Sequence, residues 1–140
     1  YTIHASRHFF EREPLDINSK IYDNGKEVDM HGAVTLDYGN GQIAQLAFGF
    51  NNCYRNKYSV WGTKGHLSLK RAFSIPPDYK PTIIMEKNSI IKKIQCKSED
   101  QFEKAINYFC DNIRKTKTIE LWHSDILKQS KVIDKIKNNL

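Results

Sequence analysis

His4 and His8 stand four residues apart, and Glu11 follows three residues later. At that spacing one face of a helix offers two imidazoles to a divalent metal. A metal site also needs a firm third ligand or a His-Glu-x-x-His run. The chain supplies neither here, so no metal is expected. Cys53, Cys96 and Cys110 are widely spaced and odd in number. They fit reduced thiols in a cytoplasmic protein better than a disulfide framework or a zinc site. Arginine offers a second kind of chemistry, because its guanidinium is a planar fork that matches phosphate. Arg55, beside Tyr54, and Arg71 are the candidates; the competing reading makes both arginines cross-strand charges. Arg7 reads as a brace for its helix, bonded to a carboxylate or carbonyl. His4 shares a helical face with Tyr1, and its plainer reading is a surface or core histidine. Trp61, near Tyr58 and Val60, reads as sheet-face packing or a subunit contact rather than a base-stacking platform.

These residues need a frame, and the stretch from Ala33 to Arg71 supplies most of it. In Ala33–Tyr38, Val34, Leu36 and Tyr38 share one face; in Gln42–Phe50, Ala44, Leu46, Phe48 and Phe50 alternate with Ile43, Gln45, Ala47 and Gly49. A period of two belongs to strands. Asn40-Gly41 predicts a hairpin, and Lys64-Gly65 a second tight turn between Tyr58–Gly62 and His66–Lys70. Before this sheet, Tyr1 to Glu11 predicts a helix that Pro14 ends, and Leu15 to Tyr22 a strand. Asp23 to Lys26 predicts a turn, and Gly32 a kink or bulge. After it, Ala72 to Pro81 reads as a loop. Thr82–Glu86 and Ser89–Gln95 read as strands turning at Lys87-Asn88. Ser98 with Gln101 makes a capping-box pattern. Phe102, Ala105, Ile106, Phe109 and Ile113 then mark one buried helical face, and Arg114 and Lys115 suit that helix's C-terminal dipole. A last helix is expected from near Ser124, with Ile126, Leu127, Ile133, Ile136 and Leu140 on its apolar side. The expected class is α+β: about seven mostly antiparallel strands in a large sheet, one N-terminal helix and two C-terminal helices. The divisions are 1–12 helix, 13–97 sheet and 98–140 two helices, in a single domain. No cap precedes Tyr1, so the chain is expected to be a piece of a longer protein.

Composition narrows the partners. The net charge of +6 comes from 22 Lys and Arg against 16 Asp and Glu. The basic groups are spread rather than massed with aromatics on one face, so nucleic acid is not the expected partner. No apolar run approaches the roughly 20 residues that span a bilayer, so no membrane partner is expected. No G-x-G-x-x-G follows a strand; Gly62 and Gly65 fit a hairpin instead.

The same residues carry a resemblance. YTIHASR, with Pro14 following, resembles a segment of the Gfo/Idh/MocA family of nicotinamide-dependent sugar oxidoreductases. There a Tyr or His sits in the active site and an Arg follows six residues on, which here are Tyr1 and Arg7. GQIAQLAFGF resembles that family's sheet strand after its Asn-Gly or Gly-Gly turn. YRNKYSVWGTKGHLSLKRAFSIPP and the later DQF resemble its NDP-hexose 3-ketoreductase branch. The resemblance implies a C-terminal domain of the dihydrodipicolinate-reductase-like, GFOR type. It implies a substrate-binding and oligomerisation role in an NAD(P)-dependent oxidoreductase acting on a nucleotide-linked keto sugar. The family's Rossmann domain, its Glu-Lys-Pro lysine and its Asp-x-Gly pair are not found here. NAD or NADP would therefore be bound mainly by that domain, with none expected on this fragment, which alone is expected to be inactive. Tyr1 is implied as the catalytic proton donor, since a phenol is protonated at neutral pH (ordinary pKa about 10). His4, Tyr54, Arg55 and Arg71 are implied as contacts to a sugar or nucleotide-sugar substrate. A homo-oligomer through the sheet face is implied as well, because a broad sheet with apolar groups on both faces must cover the second. The alternative is a stand-alone binding or scaffold module that keeps the sheet without the catalysis.

Overall fold

The computed structural model describes residues 1–25 and 27–138. Its elements run α1 (Thr2–Phe10), β1 (Asp16–Tyr22), β2 (His31–Asp37), β3 (Ile43–Gly49), β4 (Lys57–Gly62), β5 (Gly65–Lys70), β6 (Thr82–Lys87), β7 (Ile90–Gln95), α2 (Gln101–Asn112) and α3 (Thr116–Asn138). The α+β class with seven antiparallel strands and three helices is observed as expected. The strands form two ladders, β1-β2-β3 and β4-β5-β6-β7, rather than one sheet. The chain accordingly divides into two compact units. One joins Tyr1–Asn52 to the chain from Lys115 onward; the other is Cys53–Arg114.

The first unit has a true core. The alternating residues of β2 put Val34 and Leu36 inward, and Tyr38 continues that face just past the strand. All three are buried with Ile17 of β1 and with Val132 and Ile136 of α3. Ile3 and Phe10 of α1 pack against the same cluster. The Phe10 and Tyr38 rings are 4.4 Å apart. Ser19 on β1 is buried among these groups, and its hydroxyl donates to the Ile136 carbonyl at 2.8 Å. The Gly39-Asn40-Gly41 turn has positive φ at all three residues, as the Asn-Gly signal predicts. Gly32 departs from expectation. The ladder runs through it unbroken, Ile21 opposite Gly32 and Gly32 opposite Phe48. What it supplies is room, since a Cβ there would stand 2.9 Å from the Phe48 ring.

The second unit has a meander of four strands and one helix. Tyr58, Leu69, Ile83 and Ile94 line up across its ladder, as do Val60, Leu67 and Met85. These residues are only half-buried; Pro81 alone among the described residues of this unit is buried. The turn between β6 and β7 falls on Asn88-Ser89, both at positive φ, one residue beyond the expected Lys87-Asn88. The helix cap is Asp100 rather than Ser98. Asp100 Oδ1 accepts from the Phe102 and Glu103 amides at 2.9 and 3.1 Å. Gln101 does not reach back; with its amide turned to satisfy both atoms, it accepts from Ile75 N at 2.9 Å and Ser74 N at 3.2 Å. The predicted buried stripe of α2 is exposed: Phe102, Ile106, Phe109 and Ile113 all lie open within this unit. In the first unit α3 begins at Thr116, a full two turns before Ser124. Its Ile126 and Leu127 are exposed, while Ile136 and the unforeseen Val132 are buried. Lys26 and Leu140, placed in a turn and on a helix face by sequence, lie outside the described residues.

Candidate functional site

Tyr1 caps α1, and its carbonyl accepts the first helical bond, from Ala5 N at 2.9 Å. The residue is 80% exposed. His4, one turn on, is also exposed, and its ring stacks on that of His8 at 6.5 Å between centroids. No group of His, Cys, Asp or Glu among the described residues is arranged to hold a metal ion. Below them Arg7 is the buried anchor. Its Nε and Nη2 donate to the two carboxylate oxygens of Glu13, both at 2.8 Å, in a bidentate fork. Nη2 also donates to Asp125 (2.8 Å), and Nη1 to Gln129 (2.7 Å). That is the brace expected of Arg7, and it ties α1 to α3. The hydrogen bond from Arg7 holds the Glu13 carboxyl below its ordinary value, and the same partners push the guanidinium further up. Beside this anchor is a cleft of about 420 Å³ lined by His4, Arg7, His8, Glu11 and Asp125, among others. On the inner side of α1, Ser6 donates to the Ile3 carbonyl at 2.8 Å and shares a 2.9 Å bond with Tyr38 Oη. Burial pushes the Tyr38 phenol up. One side of α1 is thus seated, through Ile3, Ser6, Arg7 and Phe10, while Tyr1, His4 and His8 face outward.

The second unit holds Tyr54, Arg55 and Arg71. Neither arginine lies in a ladder, so the cross-strand reading fails. Arg55 precedes β4 and Arg71 follows β5. The structure brings Tyr54 and Arg71 together through a residue that sequence reasoning passed over, Asn56. The Asn56 carbonyl accepts from Arg71 N at 2.6 Å, one rung beyond the Lys57–Lys70 pair. Its Oδ1 accepts from Ala72 N (3.0 Å) and Phe73 N (2.9 Å). Its Nδ2 donates to Tyr54 Oη at 3.1 Å and to the Phe73 carbonyl. Arg71 sits at φ 53°, and its guanidinium carbon lies 5.4 Å from the centre of the Tyr79 ring, in cation–π range. Tyr54 is 72% exposed and Arg71 is exposed. Arg55 is exposed and takes no part in this cluster.

A profile described as GFO/IDH/MocA C-terminal domain matches residues 1–68. A dTDP-3,4-didehydro-2,6-dideoxy-alpha-D-glucose 3-reductase from Saccharopolyspora spinosa is 33% identical over 116 residues, which is 81% of this chain and 35% of that protein. An enzyme of the same name from Streptomyces antibioticus is 25% identical over 138 residues, 97% of this chain and 42% of that one. KijD10, a 3-ketoreductase from Actinomadura kijaniata solved in complex with TDP-benzene and NADP, matches with a TM-score of 0.89. It is 26% identical, over 99% of this chain and 44% of that one. This chain belongs to the GFO/IDH/MocA C-terminal domain family. It spans about a third to two fifths of the length of the curated relatives just described.

As a GFO/IDH/MocA domain the molecule carries its candidate residues on two supports. Tyr1 and His4 ride on α1 above the Arg7 anchor, and Tyr54 and Arg71 are joined at Asn56. No helix among the described residues of this GFO/IDH/MocA domain is long and apolar enough to cross a membrane. Asp125 and Gln129 were not legible as Arg7 partners, because they lie 118 and 122 residues from it along the chain. Asn56 had one signal: it closes a Tyr-Arg-Asn run just ahead of a strand.

Proposed function

We propose that this chain is the substrate-binding and oligomerisation part of an NADP-dependent 3-ketoreductase acting on a dTDP-linked keto deoxysugar. The observation that carries this reading is the likeness to KijD10 over 99% of the chain, in a structure with TDP-benzene and NADP. Lys-to-Ala, Lys-to-Glu and Tyr-to-Phe variants of that enzyme, also in complex with TDP-benzene and NADP, match with the same TM-score of 0.89. All ladders of the described residues are antiparallel, with no βαβ turn to cradle a dinucleotide pyrophosphate. The nicotinamide cofactor, which supplies the hydride, is therefore assigned to the rest of the enzyme. This chain's residues orient the sugar nucleotide and donate a proton. Tyr1, with an exposed phenol on a seated helix, donates to the oxygen of the reacting carbonyl. His4 lies beside it as a sugar contact. Tyr54, Arg55 and Arg71 take the nucleotide diphosphate.

The test is steady-state kinetics of the full-length enzyme with a dTDP-linked keto sugar. Tyr1→Phe is expected to lower kcat by about 10²-fold or more, the range for loss of one proton-transfer group, with KM little changed. Arg71→Ala is expected to raise KM by about tenfold. Unchanged constants in both variants would overturn the reading. The open face of the first sheet, with Ala33, Thr35, Ile43 and Ala47 exposed, is assigned to a second copy of the chain. Sedimentation as a clean monomer at micromolar concentration would exclude that.

A further inference from the structure

We propose that Asn56 is a positioning residue that joins Tyr54 and Arg71 into one preformed grip for a nucleoside diphosphate. The inference rests on the preceding reading of Tyr54 and Arg71 as substrate contacts.

A carboxamide has two acceptor sites and two donor hydrogens, and Asn56 uses all four. Oδ1 takes the Ala72 and Phe73 amides, and Nδ2 gives to Phe73 O and Tyr54 Oη. Its main-chain carbonyl takes the Arg71 amide. One residue therefore holds the backbone on which Arg71 stands and the hydroxyl of Tyr54. The segment so held is one that would not hold itself. It follows the last residue of β5, so Ala72 and Phe73 have no strand opposite them. Arg71 and Ser74, at φ 53° and 49°, are in the left-handed region that non-glycine residues avoid. Such residues persist where surrounding contacts over-determine them. Here Asn56 fixes the peptide groups between them, and Gln101 takes the Ser74 and Ile75 amides from the other side.

The chemistry singles out asparagine. Aspartate keeps the acceptors for Ala72 and Phe73 but turns a carboxylate oxygen on the Phe73 carbonyl and loses the donors. Glutamine is one methylene too long for a ring closed through its own main chain. A grip whose parts are ordered before the ligand arrives loses less freedom on binding, and guanidinium is the group that reads a diphosphate with directed bonds.

A loop pin of purely structural use would change melting and leave the binding constants alone. A positioning residue changes the grip. The experiment uses full-length enzyme as wild type, Arg71→Ala, Asn56→Asp and the double variant. It measures KM for the dTDP-linked keto sugar, KM for NADPH, kcat, and the Kd of dTDP alone by calorimetry. Asn56→Asp is chosen because it retains the two amide acceptors, and a melting curve on each variant reports folding. The expected result is a rise of about tenfold in the sugar-nucleotide KM and the dTDP Kd for each single variant. The double variant should be worse than Arg71→Ala by clearly less than the full effect of Asn56→Asp, what remains being the loss of the Tyr54 contact, and the NADPH KM should move less than about twofold. An effect of Arg71→Ala with none from Asn56→Asp, or two effects that multiply, overturns the role of Asn56 and leaves the substrate reading intact. No effect of Arg71→Ala on either constant overturns both.

Discussion

The two units hold their candidate residues by different means. In the first, α1 is seated on a closed core of Ile17, Val34, Leu36, Tyr38, Val132 and Ile136 and locked by a buried arginine with three partners. In the second, the strands pack only half-buried side chains, and the candidate contacts are ordered by the hydrogen bonds of Asn56 and Gln101. Burial is non-directional and scales with area; it suits a helix that must only be fixed. Hydrogen bonds specify distance and angle; they suit a loop whose backbone must be held in a disfavoured conformation.

The largest effect should come from the core. Leu36 is fully buried, and Leu36→Ala is expected to cost about 2–5 kcal/mol. Leu69→Ala in the second ladder should cost about 1 kcal/mol. Native-state hydrogen exchange across a denaturant series reads both, the β2 amides reporting on the first unit and the β5 amides on the second. Equal costs would break the contrast. Next is the Arg7 lock. Arg7→Met should cost about 2 kcal/mol at neutral pH, because Glu13 and Asp125 stay partly open to solvent and recover hydration. Its pH dependence has a definite sign. The Glu13 carboxyl is lowered from 4.5, chiefly by the Arg7 hydrogen bond. Its contribution is therefore present above that value and is lost as the pH falls through the lower folded value. The stability gap between wild type and Glu13→Gln should close in acid; a gap that stays constant from pH 7 to 2 would assign the effect to packing. The smallest change in folding is expected on the open sheet face. Ala47→Arg should alter stability by less than about 0.5 kcal/mol while shifting sedimentation toward monomer.

Period-two alternation made β2 and β3 legible, and Asn40-Gly41 made their turn legible, since both signals are local. The Arg7 brace was legible in kind but not in partner, because Asp125 and Gln129 come from the other end of the chain. The α2 stripe misled for the opposite reason. Phe102, Ile106, Phe109 and Ile113 mark an apolar helical face, and periodicity reports that face without reporting whether the unit's own residues bury it. Asn56 escaped because asparagine ahead of a strand reads as an ordinary turn residue. Its four bonds exist only once the Lys57–Lys70 register is set.

The first unit is discontinuous along the chain, and that bears on its order of assembly. The hydroxyl of Ser19 and the carbonyl of Ile136 are 117 residues apart. At a synthesis rate of roughly 5–20 residues per second, the early strands wait on the order of ten seconds for the helix that completes their core. The second unit, an unbroken stretch from Cys53 to Arg114, is translated entirely within that interval. On the ribosome, the less buried unit has all its parts first, and the well-buried one closes only once α3 has emerged.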